Sequence, residues 1–484
     1  MSQAQIRLVR LGIAVLACLG FAWACASTAL AAPFLYVSNQ GSDNITPFSA
    51  AENGALTAGT PVPTGESPLG SAATPNGRFL YVALNGPPDR VAAFSIAPDG
   101  ALSPVPGSPF PTGLNPVTVA VGGEGKFLYV ANFGSDTISV FAIDSNGGLS
   151  PVGSPAPTQD GPSSLAFSPN GQFLYVPNFG SGSISAFSVG GDGTLTALGA
   201  PTAIGGVFPA NAPGAAKVAP DGAHLYVARR QGNLINAYVI LPSGLLSPVA
   251  GSPFAALSPE SLAFSSEGST LYSAARGSNL VQTFTVDGNG AILAGPSAPA
   301  GGLPTGLTVG FDGKVLYTGN AGTSNVSSYT IGAAGALAAA PGSPLLTGGN
   351  APSGRDNAFV DTDDGADFEL TGKAKQKQKG KKVKVEVKVT ANEPLSALAG
   401  GTLKGKGLKK VKLKPVNKTL GTAQTVTVTL KPKKKNASKK VMKTLGKGKK
   451  VTAKVEVTGT DGLGNAEDRT LKVKLKGKKQ NKKG

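Results

Sequence analysis

The chain of 484 residues holds one histidine, His224, and two cysteines, Cys18 and Cys25. Nucleophilic hydrolysis by serine or cysteine needs a base set beside the nucleophile, and one histidine leaves little to build that from. The sequence contains no Walker loop, dinucleotide fingerprint, His-Glu-x-x-His or Gly-x-Ser-x-Gly. Chemistry therefore falls to carboxylates and cationic side chains. Lys217 stands where equivalent segments place Ala72, Ala120, Ala166 and Ala263, so it is expected to face a central channel if those segments close around an axis. Glu260 and Arg355 are expected near the entrances of the same channel. Each of the three also has a plainer reading, a solvated head on a stem that covers apolar surface. Asp361, Asp363, Asp364, Asp367 and Glu369 offer the hard oxygens that calcium takes. Gly365 is misplaced for a calcium-hand loop, so this stretch also reads as a linker, and calcium is the one cofactor the sequence suggests.

The elements that must position these residues repeat. A tyrosine recurs at 36, 81, 129, 175, 226, 272 and 317, about every 46 residues. Around it sit Phe34-Leu35-Tyr36-Val37 and its copies at Phe79, Phe127 and Phe173, drifting to His224-Leu225-Tyr226-Val227, Thr270-Leu271-Tyr272-Ser273 and Val315-Leu316-Tyr317-Thr318. His224 thus occupies a phenylalanine slot and reads as a structural strand residue. Each repeat offers four strand-like segments. The Leu-Tyr-Val segment is apolar at consecutive positions, which predicts burial on both faces. The last, such as Gly100 to Val105, carries a proline, which predicts an edge strand. Four short strands with a blunted edge describe a propeller blade. The first copy lacks its leading strand, and Asn357-Ala358-Phe359-Val360 can supply it, so the two ends of residues 32–361 would complete one blade and close a ring of seven.

Tyr36-Val37-Ser38-Asn39, Tyr129-Val130-Ala131-Asn132 and Tyr175-Val176-Pro177-Asn178 resemble the YVTN repeats of secreted and surface-layer propellers. The pattern over residues 34–360 is also similar to the lactonase-type seven-bladed propellers, known for 6-phosphogluconolactonase activity. That resemblance implies histidines in a loop entering an inner strand near Asn-Pro. The matching segment, Asn115-Pro116-Val117-Thr118, has none. Fold alone does not carry the activity, because propellers host many.

The ends of the chain differ from its middle. Residues 1–31 carry Arg7 and Arg10, an apolar run from Leu11 to about Ala24 and small residues at Ala29-Leu30-Ala31, the pattern of a secretory signal. Lipid attachment at Cys18 is the alternative. Cleavage after Ala31 would remove both cysteines and the one tryptophan, Trp23. Residues 32–361 have a net charge of −8 and residues 362–484 one of +24. After a linker expected at 362–382, apolar residues alternate with lysine at Val383–Val389, Val451–Val457 and Leu471–Leu475, with two further strands at Val411–Leu413 and Val426–Leu430 and a helix at Asn436–Leu445. One buried face per strand predicts a small sandwich at 383–484 with a disordered basic tail. The turn Asp461-Gly462-Leu463-Gly464-Asn465 resembles that of bacterial immunoglobulin-like repeats. The cations here are lysines except for Arg469, and Phe368 is the only aromatic after Val360. Base readout favours arginine and strand stacking needs aromatics, so sequence-specific nucleic-acid binding is not expected.

The sequence therefore describes an all-β protein, a seven-bladed β-propeller followed by a small lysine-rich β-sandwich. The functional expectation is a secreted binding or scaffold protein. Its propeller face would hold a ligand, and residues 383–484 would attach it to an anionic cell-wall polymer, lipid surface or acidic polysaccharide. The alternative is an exported lactonase that opens a sugar lactone.

Overall fold

The computed structural model describes residues 33–205, 212–310, 313–352 and 358–360 of the propeller, and those parts of 368–476 that carry the strands and one helix of the C-terminal region. The expected signal, Arg355, Asp361, Asp363, Asp364, Asp367 and the basic tail lie outside the described residues. Among the described residues no helix is long and apolar enough to cross a membrane.

Seven antiparallel sheets form seven blades. In blade 3, the inner strand Pro116–Gly122 pairs with Phe127–Asn132, that strand pairs with Thr137–Ile143, and the last carries the outer strand Leu149–Pro151. The outer edge departs from a single fourth strand. A second piece, Ala156–Pro157, also pairs with Thr137–Ile143. Proline removes a ladder donor and breaks the edge into short pieces that offer no continuous template for another chain. Blades 1, 2, 4, 5 and 7 repeat this arrangement, and blade 6 has one longer outer strand, Ile292–Pro299.

Ring closure follows the repeat count. Ala358–Val360 pairs antiparallel with Phe34–Tyr36, so the inner strand of blade 1 comes from the far end of the propeller. Inner strands of successive blades lie against one another on both sides of this closure, and Val117 of blade 3 packs in one cluster with Leu165 of blade 4.

The repeated tyrosines join the blades. Tyr36, Tyr81, Tyr129, Tyr175, Tyr226 and Tyr272 are fully buried. Each hydroxyl donates to a glycine carbonyl in the outer turn of the next blade, at Gly100, Gly147, Gly193, Gly244, Gly290 and Gly335, over 2.8–3.2 Å. A buried phenol must find an acceptor, and for these six the next blade supplies it. These turns require glycine. At Gly193 φ is +85°, and a Cβ would stand 2.5 Å from the Phe127 ring. The phenylalanine slot is therefore the packing surface under the neighbour's turn. His224 fills that slot against Gly290, buried beside Tyr226, in a structural place.

The C-terminal region is a two-sheet sandwich around one apolar core that includes Val385, Val387, Val428, Val455 and Val473, with Val441 and Leu445 of the helix Lys435–Gly446. The stretch expected as a linker, 362–382, instead contributes two strands. Phe368–Thr371 pairs with Val385–Ala391, and Lys375–Lys377 runs parallel to Ala466–Lys476. The longest unforeseen strand is Leu395–Gly405, whose buried Ala397, Ala399 and Leu403 are separated by Gly400 and Gly401. Gly401 has φ +146°, and a Cβ there would meet the Lys454 carbonyl, so only glycine lets the two strands approach.

Candidate functional site

Each blade brings the start of its inner strand beside the end of its second strand. Pro68, Pro116, Pro162, Pro259, Pro304 and Pro352 pair there with Leu84, Asn132, Asn178, Ala275, Asn320 and Asn39. Proline is tolerated because a strand's first residue has no ladder bond to lose. The register then slips by a bulge after Pro68, Pro116, Pro259 and Pro304. Bulges at such rims re-aim side chains. This end of the ring is the entry face.

Most polar groups on the entry face hold the blades together. The residues before these prolines include Ser67, Ser258 and Leu303, all left-handed with φ between 45° and 53°. Their backbone N–H groups donate to Asp43, Asn233 and Asn279 in the hairpin of the preceding blade, over 2.7–3.0 Å. Asp136 accepts the Gly161 N–H in the same way at 2.8 Å. Asn39, Asn132, Asn178 and Asn320 are fully buried. Each donates Nδ2 to two side chains of its third strand, as Asn178 does to Ser183 and Ser185.

Blades 2, 5 and 6 depart from this pattern, blade 2 with Leu84 and blade 6 with Ala275 in the asparagine slot. The asparagine slot of blade 5 holds Arg229, which is buried and donates Nη1 to Asn236 Oδ1 at 3.1 Å. Burial holds this guanidinium below its usual range. The next residue, Arg230, donates Nη1 to Glu260 Oε2 at 2.8 Å. The Glu260 side chain is 16% exposed and that of Arg230 37%, so the pair is sheltered and still open to a small molecule. Blade 6 places the half-buried Arg276 in the slot that corresponds to Arg230.

Glu260 also breaks its own column. Ser163 and Thr305 stand in the equivalent inner-strand position and donate their hydroxyls forward, to Pro213 O at 3.0 Å and Pro352 O at 3.3 Å. Glu260 reaches back to the preceding blade instead. Chemically, this corner joins a carboxylate able to accept a proton to a cation, Arg230, able to steady an oxyanion.

Of the residues singled out from sequence, Glu260 lies in this corner. Lys217 is half-buried on the inner strand Ala216–Val218 of blade 5, opposite Tyr226. The three arginines were not expected. The signal that could have found them is positional: Arg229 is the one charged residue in a column that holds asparagine in four blades of seven, and Arg230 and Arg276 follow in register. Among the described residues no group of three or more His, Cys, Asp or Glu could hold a metal ion. A separate open groove of about 480 Å³ lies at the rim between blades 1 and 2, walled by Phe34, Pro47, Gly59, Asp99 and Leu102. It carries one carboxylate, Asp99, and no cation to steady an oxyanion.

Seven antiparallel sheets closed into a ring by a shared first blade define a seven-bladed β-propeller. Residues 27–109, 72–156 and 123–298 match the family of lactonase, seven-bladed β-propeller proteins, and the chain belongs to that family. Among solved structures, proteins of Bacteroides uniformis and Bacteroides fragilis assigned as 6-phosphogluconolactonases are 19% and 20% identical to it, with TM-scores of 0.60 and 0.61. The periplasmic gluconolactonase of Pseudomonas aeruginosa is 19% identical, with a TM-score of 0.56. Alignment covers 68–69% of this chain and 99% of each of theirs. At this identity they show a common fold. No curated protein matches the chain. The family match ends at residue 298, so the C-terminal sandwich rests on its own sheet order.

Proposed function

We propose that the propeller hydrolyses a sugar lactone on its entry face, at the corner between blades 5 and 6. The observation that carries this reading is the sheltered Arg230–Glu260 pair, in a position where blades 4 and 7 use hydroxyl latches. Membership of the lactonase family supports it, as do the activities ascribed to the similar structures. Glu260 would take a proton from water as the water oxygen attacks the lactone carbonyl. An arginine would hold the resulting oxyanion. Collapse then breaks the ring C–O bond, and the proton passes from Glu260 to the departing alkoxide, leaving the open hydroxy acid. Histidine has no part in this scheme.

The test uses the full chain and two conservative variants. Glu260→Gln keeps a hydrogen-bonding oxygen toward Arg230 and removes the base, so kcat is expected to fall by about 10²- to 10⁴-fold. Arg230→Lys keeps the charge and loses the fork, so a smaller loss is expected. Unchanged turnover in Glu260→Gln, with the fold intact, would overturn the assignment. Export, expected from residues 1–31, is a further part of this proposal, and secretion of a tagged full-length chain tests it.

A further inference from the structure

The two outer faces of the C-terminal sandwich differ. The three-stranded sheet presents a mixed face. Glu386 and Lys388 are exposed there, beside Thr429 and Thr427 of the neighbouring strand. The six-stranded sheet is paved with lysine. Lys412, Thr402, Lys454 and Lys472 form one row across four strands. Lys404, Thr452 and Lys474 form the next, and Lys410 lies two residues along from Lys412. All six lysines are exposed and both threonines half-exposed. Leu403, Ala453 and Val473, which alternate with them, are buried in the core. With strands about 4.8 Å apart and alternate residues about 7 Å apart, six lysines share a patch of about 14 by 7 Å. The one ion pair on this face among the described residues joins Lys454 to Glu456 at 2.6 Å.

Like charges set side by side across strands cost stability. A general solubilising coat would place cations on both faces and intersperse acids. Of the thirteen lysines described as exposed in this region, six are gathered on this one face at one end. We propose that this sheet face is a binding site for a linear acidic polysaccharide. The site is independent of any propeller chemistry. Lysine supplies point charges without the bidentate geometry of arginine, which suits a flexible chain of carboxylates. The threonine hydroxyls set between the lysines can meet sugar hydroxyls. Base readout or strand stacking on a nucleic acid would need arginine forks or aromatic platforms, and the described residues of this face offer neither. Membrane insertion would need a cluster of apolar side chains, and Leu398 is the one exposed large hydrophobic residue of this sandwich among the described residues.

The experiment measures binding of the full chain to immobilised polygalacturonate between 50 and 200 mM salt. Five lysine contacts, at the counterion release of a flexible single-stranded polyanion, predict about a 100-fold loss of affinity over that range. The variant Lys404→Gln, Lys412→Gln, Lys472→Gln and Lys474→Gln is expected to bind at least about tenfold more weakly, with a logarithmic salt slope shallower by about 3. A charge-matched control alters the exposed Lys388, Lys418, Lys440 and Lys443 and is expected to bind as the parent does. Equal losses in both variants would overturn the proposal in favour of net charge alone. Undiminished binding by the face variant would also overturn it. Tighter binding of the parent to phosphatidylglycerol vesicles or duplex DNA than to the polysaccharide would overturn the choice of occupant.

Discussion

Replacing Gly193 with alanine tests the inter-blade contact that the tyrosine repeat builds. Two costs are expected. The backbone at Gly193 has φ +85°, and an L-residue in the left-handed region loses about 1–2 kcal/mol. The added Cβ would also stand 2.5–2.8 Å from three atoms of the Phe127 ring, and overpacking of that kind costs about 1–3 kcal/mol. Gly171 separates the two terms, because its φ is +67° and a Cβ there would meet nothing within 4 Å. Gly171→Ala should therefore cost about 1–2 kcal/mol and Gly193→Ala about 2–5 kcal/mol. Tyr129→Phe, which removes the 3.0 Å bond to the Gly193 carbonyl and leaves that acceptor buried, should cost about 1–2 kcal/mol. The double variant should show coupling of at least about 0.5 kcal/mol, since the two groups touch. Urea unfolding followed by tyrosine fluorescence is the assay. All nine tyrosines lie between residues 36 and 329, so the signal reports the propeller alone. Equal costs for Gly193→Ala and Gly171→Ala would refute the packing argument, and strict additivity would refute the latch.

Three further outcomes are expected. Burial holds all nine phenols above their ordinary value, with Tyr129 and Tyr272 pushed up to about 12. The folded protein keeps these protons where the unfolded chain releases them, so stability holds below about pH 10 and falls as pH rises towards 12. A spectroscopic titration should then show phenolate appearing together with unfolding, and a separate folded-state step near pH 10 would contradict this. Ala358→Pro removes the backbone N–H that Ala358 donates to Ser71 Oγ at 3.3 Å, from the strand that pairs with Phe34–Tyr36. It should cost about 1–3 kcal/mol, read by urea midpoint, whereas no change would mean that the ring does not depend on this closure. Asn178→Ala strips the buried donors that hold Ser183 and Ser185. It should cost about 1–3 kcal/mol, and an unchanged midpoint would assign the asparagine slot no structural role.

The blade count, the shared first blade and the structural place of His224 were legible because a repeat superimposes equivalent positions. Seven tyrosines at one spacing fix seven second strands, and a missing inner strand at one end demands a donor at the other. The tyrosine–glycine contact was not legible. Its partners stand 63–69 residues apart in different repeats, and periodicity aligns columns without saying which columns touch. The Arg230–Glu260 pair was half visible for the same reason, since Glu260 broke a column while its partner came from another blade. In the C-terminal region the alternating Val-Lys strands were plain. Lys375–Lys377 was hidden because it has no apolar residue to alternate, and Leu395–Gly405 because small residues and two glycines mask its period.

The central claim is that this propeller opens lactones without histidine. The most direct measurement is acid release from glucono-lactone by the purified full chain, followed by pH-stat against the spontaneous rate. The account predicts saturable turnover well above that rate, lost in Glu260→Gln. Acid release at the spontaneous rate, on this and on a phosphorylated sugar lactone, would contradict it and assign the entry face to binding alone.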